Sequence, residues 1–287
     1  MKLVTFEHKR WARAGIWLGD EIVDLSTANH PVPVQISWLL QAGDEMMASA
    51  KRAIESAERI PASECRLLAP LRDPGKIICI GQNYMDHCRE QNVEPPAFPI
   101  LFAKYNNTII HPGDPIRLPT ISTQVDYEAE LAFVVGRRAS RVAESDALDY
   151  IAGYTCLNDV SARDLQFGDK QWTRGKSLDT FCPTGPFIVT RDEIPDPQAL
   201  AIRCIVSGET LQDSNTSNMI FGCAYLLSYI SQGITLEPGD LVSTGTPNGV
   251  GVFRKPPRFL HAGDTVTISI EGVGELTNPV AAASAAG

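Results

Sequence analysis

Along VDYEAELAFVV, residues 125–135, period-two alternation sets Asp126, Glu128 and Glu130 on one face and Tyr127, Ala129, Leu131, Phe133 and Val135 on the other. The apolar face predicts a strand seated on a core. Like charges at this spacing repel, and burying them unpaired is costly. The acidic face is therefore either wet or covered by something positive. Similar patterns predict strands at KLVTF, ARAGIWLG, EIVDLS and KIICIG, and hairpins at ALAIRCIVSGETL and TVTISIEGVGEL. A Gly-Asp turn precedes a strand three times, in HPGDPIRL, EPGDLVST and HAGDTVTI.

Helical patterns are fewer. One helix is expected within Val34–Ile60, ended by Pro61. A second covers DVSARDLQ, with Asp159 or Ser161 as cap. A third covers MIFGCAYLLSYIS, capped by Asn215, Thr216 or Ser217. Pro70 and RDPG (72–75) punctuate the chain. They divide it into a small α+β unit, residues 1–70, and a mainly β domain, residues 71–287. The tail AAASAAG is low in complexity and expected to be unstructured.

Composition narrows the function classes. The 287 residues carry a net charge of −9, which argues against nucleic acid and anionic membrane surfaces as partners. No apolar run has the length of a membrane-spanning helix, and MKLVTFEHKRWAR has no signal-peptide core. Seven cysteines form no CxxC and no paired spacing, the pattern of reduced thiols rather than of disulfides or zinc. These observations predict a cytoplasmic chain.

Four stretches carry candidate chemistry. Asp159, in CLNDVSARDLQ, adds an acid at a strand-to-helix junction. Carboxylates from two elements, with no His or Cys beside them, form the ligand set of a hard divalent cation such as Mg2+ or Mn2+. A solvated acidic face is the plainer alternative. In IGQNYMDHCREQN, His87 and Glu90 share a helical face. A carboxylate that orients an imidazole makes a general base, although an isolated H-x-x-E is more often a surface pair. Cys88 beside His87 is read as packing. Lys176, in TRGKSLDTFCPTGP, either pairs with Asp179 or neutralises an anionic substrate; the Gly/Pro-rich context argues against a helix there. STGTPNGVG, 243–251, lacks the lysine of a phosphate loop and the spacing of a dinucleotide fingerprint, but its amides and the Thr246 hydroxyl are suited to a carboxylate.

Taken in order from Lys76 to Val280, the stretches GQNYxxHxxE, DYEAELA, NDVSARDLQ, GKSLDTFCPTGP, NTSNMIF and TGTPNGVG resemble the fumarylacetoacetate hydrolase family. The resemblance implies an α+β, mainly β fold whose mixed sheets roll into a barrel-like sandwich behind a small leading domain, assembled as a homodimer. It implies metal ligands at Glu128, Glu130 and Asp159, with Asp126 beside them. It implies a catalytic pair, His87 and Glu90, on a lid that orders over the substrate. Substrate contacts are implied at Arg163, Gln166, Lys176 and Thr246, with Lys176 counted among the catalytic residues. Gln82 stands where many members carry Leu.

The expected reaction is metal-dependent hydrolysis of a C–C bond in a 2,4-dioxo acid of acylpyruvate type, releasing pyruvate and a carboxylic acid. His87 would activate the water, and the metal would hold the charge that develops on the enolate. The same enolate arises in oxaloacetate decarboxylation and in keto–enol tautomerisation of a related 2-oxo acid, which are the alternatives among enzymes. A catalytically silent metal-binding protein is the alternative from another class. In each enzymatic reading the partner is a small anionic 2-oxo acid.

Overall fold

The computed structural model describes residues 1–283. Its main sheet runs in the order Arg59–Pro61, Glu21–Asp24, Trp11–Trp17, Lys2–His8, Cys182–Thr190, Ile151–Asn158, Ala129–Val135, Leu241–Ser243, Ile77–Gly81 and Ile100–Lys104. Lys2 lies opposite Val189 and Leu3 opposite Ile188, so strands from both sides of Pro70 share this sheet. A second sheet orders Glu209–Asn215, Ala201–Val206, Thr265–Ile270, Gly274–Ala281 and Ile116–Arg117. Phe133 and Tyr154 of the first sheet and Ile202 and Ile268 of the second belong to one buried apolar cluster. The fold is a mainly β sandwich of mixed sheets, and neither sheet closes into a barrel among the described residues.

The acidic stretch is not one continuous strand. Val125–Asp126 pairs with Ser161–Ala162, and Ala129–Val135 pairs with Ile151–Asn158. Between them the Glu128 amide donates to the Asn158 side chain at 3.1 Å, and the Asp159 amide donates to the Glu128 carbonyl at 3.0 Å. All eleven residues are buried, so the acidic face is covered rather than wet.

The helices are shorter than the patterns predict. The expected helix within 34–60 divides into Ile36–Gln41 and Asp44–Ala53, because Gly43 turns the chain at φ 78°. The helix near Asp159 begins at Arg163, after Ser161 and Ala162 have been taken into a strand pair. The third is Cys223–Ser231, capped by Gly222 without a side-chain bond, while Asn215 caps a separate single turn by accepting from the Ser217 amide. Lys176 ends a short helix, Trp172–Lys176, contrary to the reading of its context. In the expected unstructured tail, Ala281 still pairs with Arg117, and residues 284–287 lie outside the described residues.

The three Gly-Asp turns are the same device. Gly113, Gly239 and Gly263 have φ of 81°, 92° and 97°. In each turn the Asp amide donates to the carbonyl three residues earlier at 3.0 Å. The Asp carboxylate in turn accepts from the amide of that earlier residue, at 3.3, 2.8 and 2.8 Å for His111, Glu237 and His261. A left-handed glycine followed by a self-bonding Asp sets the exit direction of the next strand.

Candidate active site

The cluster of acids is built by backbone register. Glu128 and Glu130 flank Ala129 at the start of a strand whose partner ends at Asn158, so Asp159 emerges beside them. Ligand oxygens of Glu128, Glu130 and Asp159 all lie within 4.8 Å of one another. Each of the three is at least 95% buried.

Three cations answer the question that the alternation raised. Lys176 Nζ donates to Glu128 Oε2 and Asp159 Oδ2, each at 2.7 Å, and to Ser161 Oγ at 2.8 Å. Lys104 Nζ donates to Asp159 Oδ1 at 2.6 Å and to the Val160 carbonyl at 3.2 Å. Arg163 donates through Nε to Asp126 Oδ2 at 2.8 Å and through Nη1 to Gln166 Oε1 at 3.0 Å. Its Nη2 stands 2.8 Å from Glu128 Oε1, off the line of a good hydrogen bond. Lys176 therefore pairs with Glu128 and Asp159. Asp179 instead accepts from Asn107.

The electrostatics divide the two glutamates. Burial pushes the Glu128 carboxyl up, but Lys176 and Arg163 outweigh it and hold it at about 2. Burial, then the charges of Asp159 and Glu128, push Glu130 well above the usual carboxylate range. Burial alone would drive the Lys176 ammonium down, yet Asp159 and Glu128 hold it above its ordinary value.

This donor set fits a hard divalent ion. Glu130 Oε2 accepts from the Ser243 hydroxyl and from the Gly245 amide, while Oε1 has no partner among the described residues. Four acids, counting Asp126, face three cations, and Glu130, the acid to which no cation is bonded among the described residues, is the one that resists ionising. The oxygens of Glu128 and Asp159 that already accept from cations keep further lone pairs.

His87 lies on the Met85–Gln91 helix and is 6% exposed. Its Nδ1 is 3.0 Å from Glu90 Oε2, and the Gly249 amide donates to Glu90 Oε1 at 2.9 Å. That leaves Nε2 as the imidazole nitrogen without an internal partner among the described residues. The helix is further held by Asp86, which accepts from the Ser214 hydroxyl and the His87 amide.

The glycine-rich loop serves the protein's own acids. Gly245 donates to Glu130 and Gly249 to Glu90; Gly251 and Val252 both donate to Asp126, at 2.8 and 3.0 Å. A Cβ on Gly249 would stand 2.2 Å from the Leu211 carbonyl oxygen, and Gly249 has φ 99°. The Thr246 hydroxyl donates to the Ala129 carbonyl and accepts from Gln212, each at 2.9 Å. Toward a ligand it can only accept.

Glu128, Glu130, His87, Arg163, Lys176 and Thr246 line one cavity of about 210 Å3, together with Gln166 and an aromatic wall. Ligand pockets commonly span roughly 300–1,000 Å3, so this one suits a small molecule. One participant escaped the sequence reading. Lys104 is fully buried on Asp159, and the one signal for it was a lysine closing the apolar run ILFA. Asp126 is saturated by Arg163 and by the amides of Tyr127, Gly251 and Val252, which makes it an anchor for Arg163 and the loop.

A buried carboxylate cluster balanced by lysines and an arginine, with an oriented imidazole over a small cavity, defines an enzyme-type site for a small anion. The chain belongs to the fumarylacetoacetate hydrolase family: the model of the fumarylacetoacetate (FAA) hydrolase C-terminal family matches residues 76–281. It is 48% identical over 287 residues to a mitochondrial oxaloacetate tautomerase of Xenopus laevis, covering 98% of this chain and 90% of that protein. Its structure is similar to a fumarylacetoacetate hydrolase from Exiguobacterium antarcticum (TM-score 0.88, 38% identity, 98% and 99% of the two chains). It is also similar to a maleylpyruvate hydrolase from Sphingobium sp. SYK-6 in complex with manganese(II) and pyruvate (TM-score 0.83, 30% identity, 99% and 100%). The expectation of a cytoplasmic chain is overturned, because tautomerase relatives from frog, rat and human carry a mitochondrial designation.

Proposed function

We propose that this chain interconverts the keto and enol forms of oxaloacetate, using a Mg2+ or Mn2+ ion held by Glu128, Glu130 and Asp159. The observation that carries the reading is the His87–Glu90 pair at a small cavity where Lys176 and Arg163 are already paired with Glu128, Asp159 and Asp126. The likeness to an oxaloacetate tautomerase over nearly the whole chain supports oxaloacetate as the substrate. It favours the alternative drawn from the sequence over C–C hydrolysis.

When bound, the ion supplies Lewis-acid polarisation of the 2-oxo group. Arg163 and Lys176 attract and orient the anionic substrate. Gln166, its carbonyl taken by Arg163, offers its NH2 group to the same anion. His87 Nε2 accepts a proton from C3, the C–H electron pair becomes the C2=C3 double bond, and the carbonyl π pair moves to the C2 oxygen. The imidazolium formed is stabilised by Glu90, and it returns the proton to that oxygen, which completes the enol. No water is consumed, so a closed cavity suits the reaction. The homodimer, and a division of the chain near residue 70, belong to this proposal through the family resemblance and the proline punctuation.

Hydrolysis remains the second reading, favoured by the likeness to the maleylpyruvate hydrolase. The test follows decay of the enol absorbance of oxaloacetate and release of pyruvate in parallel, with Mg2+ present. Faster enol–keto exchange without pyruvate supports the tautomerase. Pyruvate released from oxaloacetate would replace it with a decarboxylase, and pyruvate released from an acylpyruvate alone with a hydrolase.

A further inference from the structure

One group in the cavity wall has no place in the proton transfer. Gln82 follows the Ile77–Gly81 strand, and Gln91 ends the Met85–Gln91 helix; both line the cavity. Gln82 Nε2 and Gln91 Oε1 are 3.3 Å apart, a long hydrogen bond, and neither side chain makes another among the described residues. Whichever way the two amides are turned, one NH2 group of the pair is left without an internal partner.

The backbone at this point is held under strain. Gln82 has φ 51°, the left-handed region, which costs a non-glycine residue about 1–2 kcal/mol. The preceding Gly81 packs closely on Trp172, since a Cβ there would lie 2.0 Å from the Trp172 ring. A residue kept in such a conformation beside a cavity is a sign of function. The cavity lining also carries four aromatic side chains, Phe102, Phe167, Trp172 and Phe253. With Arg163, Lys176, Gln166 and Thr246 assigned to the chelating end of a ligand, the neutral polar groups left for its far end are these two amides.

We propose that the Gln82–Gln91 pair reads the distal carboxylate of the substrate and so selects four-carbon 2-oxo dicarboxylates over 2-oxo acids with an apolar end. The inference rests on the oxaloacetate reading and deepens it. Ligand entry exchanges the long amide–amide bond for amide–carboxylate bonds, which are stronger because the acceptor is charged. A neutral reader also adds no cation to a site already holding Lys104, Arg163 and Lys176.

The test is binding, so that it stands apart from turnover. Mg2+-loaded wild type, Gln82→Leu and Gln91→Leu are titrated calorimetrically with oxalate, which has only the chelating head, and with 3,3-difluoro-oxaloacetate. The latter keeps both carboxylates but has no C3 proton to give. Expected is unchanged oxalate affinity and a loss of about tenfold or more for the dicarboxylate in each variant, the worth of a hydrogen bond to a charged group. Gln91→Leu alters a half-buried helix end and leaves the strained backbone untouched, so it reports even where Gln82→Leu fails to fold. Affinity for the dicarboxylate within twofold of wild type, or equal losses for both ligands in Gln91→Leu, would overturn the inference. A specific loss in a protein that does not speed oxaloacetate tautomerisation would keep the inference and reject the tautomerase.

Discussion

Glu90 holds His87 by one carboxylate oxygen, 3.0 Å from Nδ1, while its other oxygen takes the Gly249 amide at 2.9 Å. The imidazole is thus fixed by a carboxylate that is itself fixed by the loop. His87→Ala is expected to lower kcat for tautomerisation by roughly 10²–10⁴, the usual worth of a general base. Mn2+ binding, read by calorimetry, should be unchanged. A variant as fast as wild type would remove His87 from the proton transfer.

Glu130 should show opposite effects on binding and stability. Glu130→Gln keeps an acceptor for Ser243 and Gly245 but removes the carboxyl whose ionisation Asp159 and Glu128 oppose. Mn2+ binding is expected to vanish. The metal-free variant should melt at or above the temperature of the metal-free wild type. Melting well below it would mean that the Glu130 carboxyl stabilises the metal-free fold despite its acidic neighbours.

Asp126 anchors Arg163 and the amides of Gly251 and Val252 in a buried setting. Asp126→Ala takes from the buried Arg163 guanidinium its hydrogen-bonded carboxylate and leaves it the Glu128 carboxylate alone. Breaking such a buried pair typically costs about 3–5 kcal/mol. Urea denaturation of the metal-free protein measures the loss. A change under about 1 kcal/mol would show that water or another acid replaces the carboxylate.

His111 gives a pH dependence. Its Nδ1 accepts from the Ala69 amide at 3.0 Å, and burial pushes its pKa below the ordinary 6.5, with Arg66 and Arg72 adding to the effect against Asp114 and Glu7. A depressed folded pKa means that its stabilisation is complete above about pH 6.5 and is lost as pH falls toward the folded value. His111→Asn preserves an acceptor without a titrating ring. Denaturation midpoints between pH 7 and 5 should fall less steeply in that variant, and parallel slopes would assign the acid sensitivity elsewhere.

Much of this site was legible from the chain. The strands, both hairpins and the acids at Glu128, Glu130 and Asp159 follow from alternation and from the cost of unpaired charge. The break at Tyr127–Glu128 was not legible, because it depends on Asn158 replacing a ladder partner. Nor was Lys104, whose sequence neighbours say nothing of Asp159, 55 residues away. The helix caps failed for a related reason: Ser161 carries a capping side chain, but strand pairing claims its backbone. Local propensity yields where a long-range pairing claims the same atoms.

Surface loops are ordinarily where related chains gain and lose residues, because few fixed atoms depend on their length. The segment from Ser243 to Val252 inverts that expectation. Its amides are apportioned among Glu130, Glu90 and Asp126, one carboxylate from each functional part of the cavity. A single inserted or deleted residue there would shift every donor past its acceptor, and the cation-binding, proton-transfer and anion-steering geometries would fail as one. Divergence within this architecture is therefore channelled into the aromatic and amide wall of the pocket, where one side chain can be exchanged without disturbing the others.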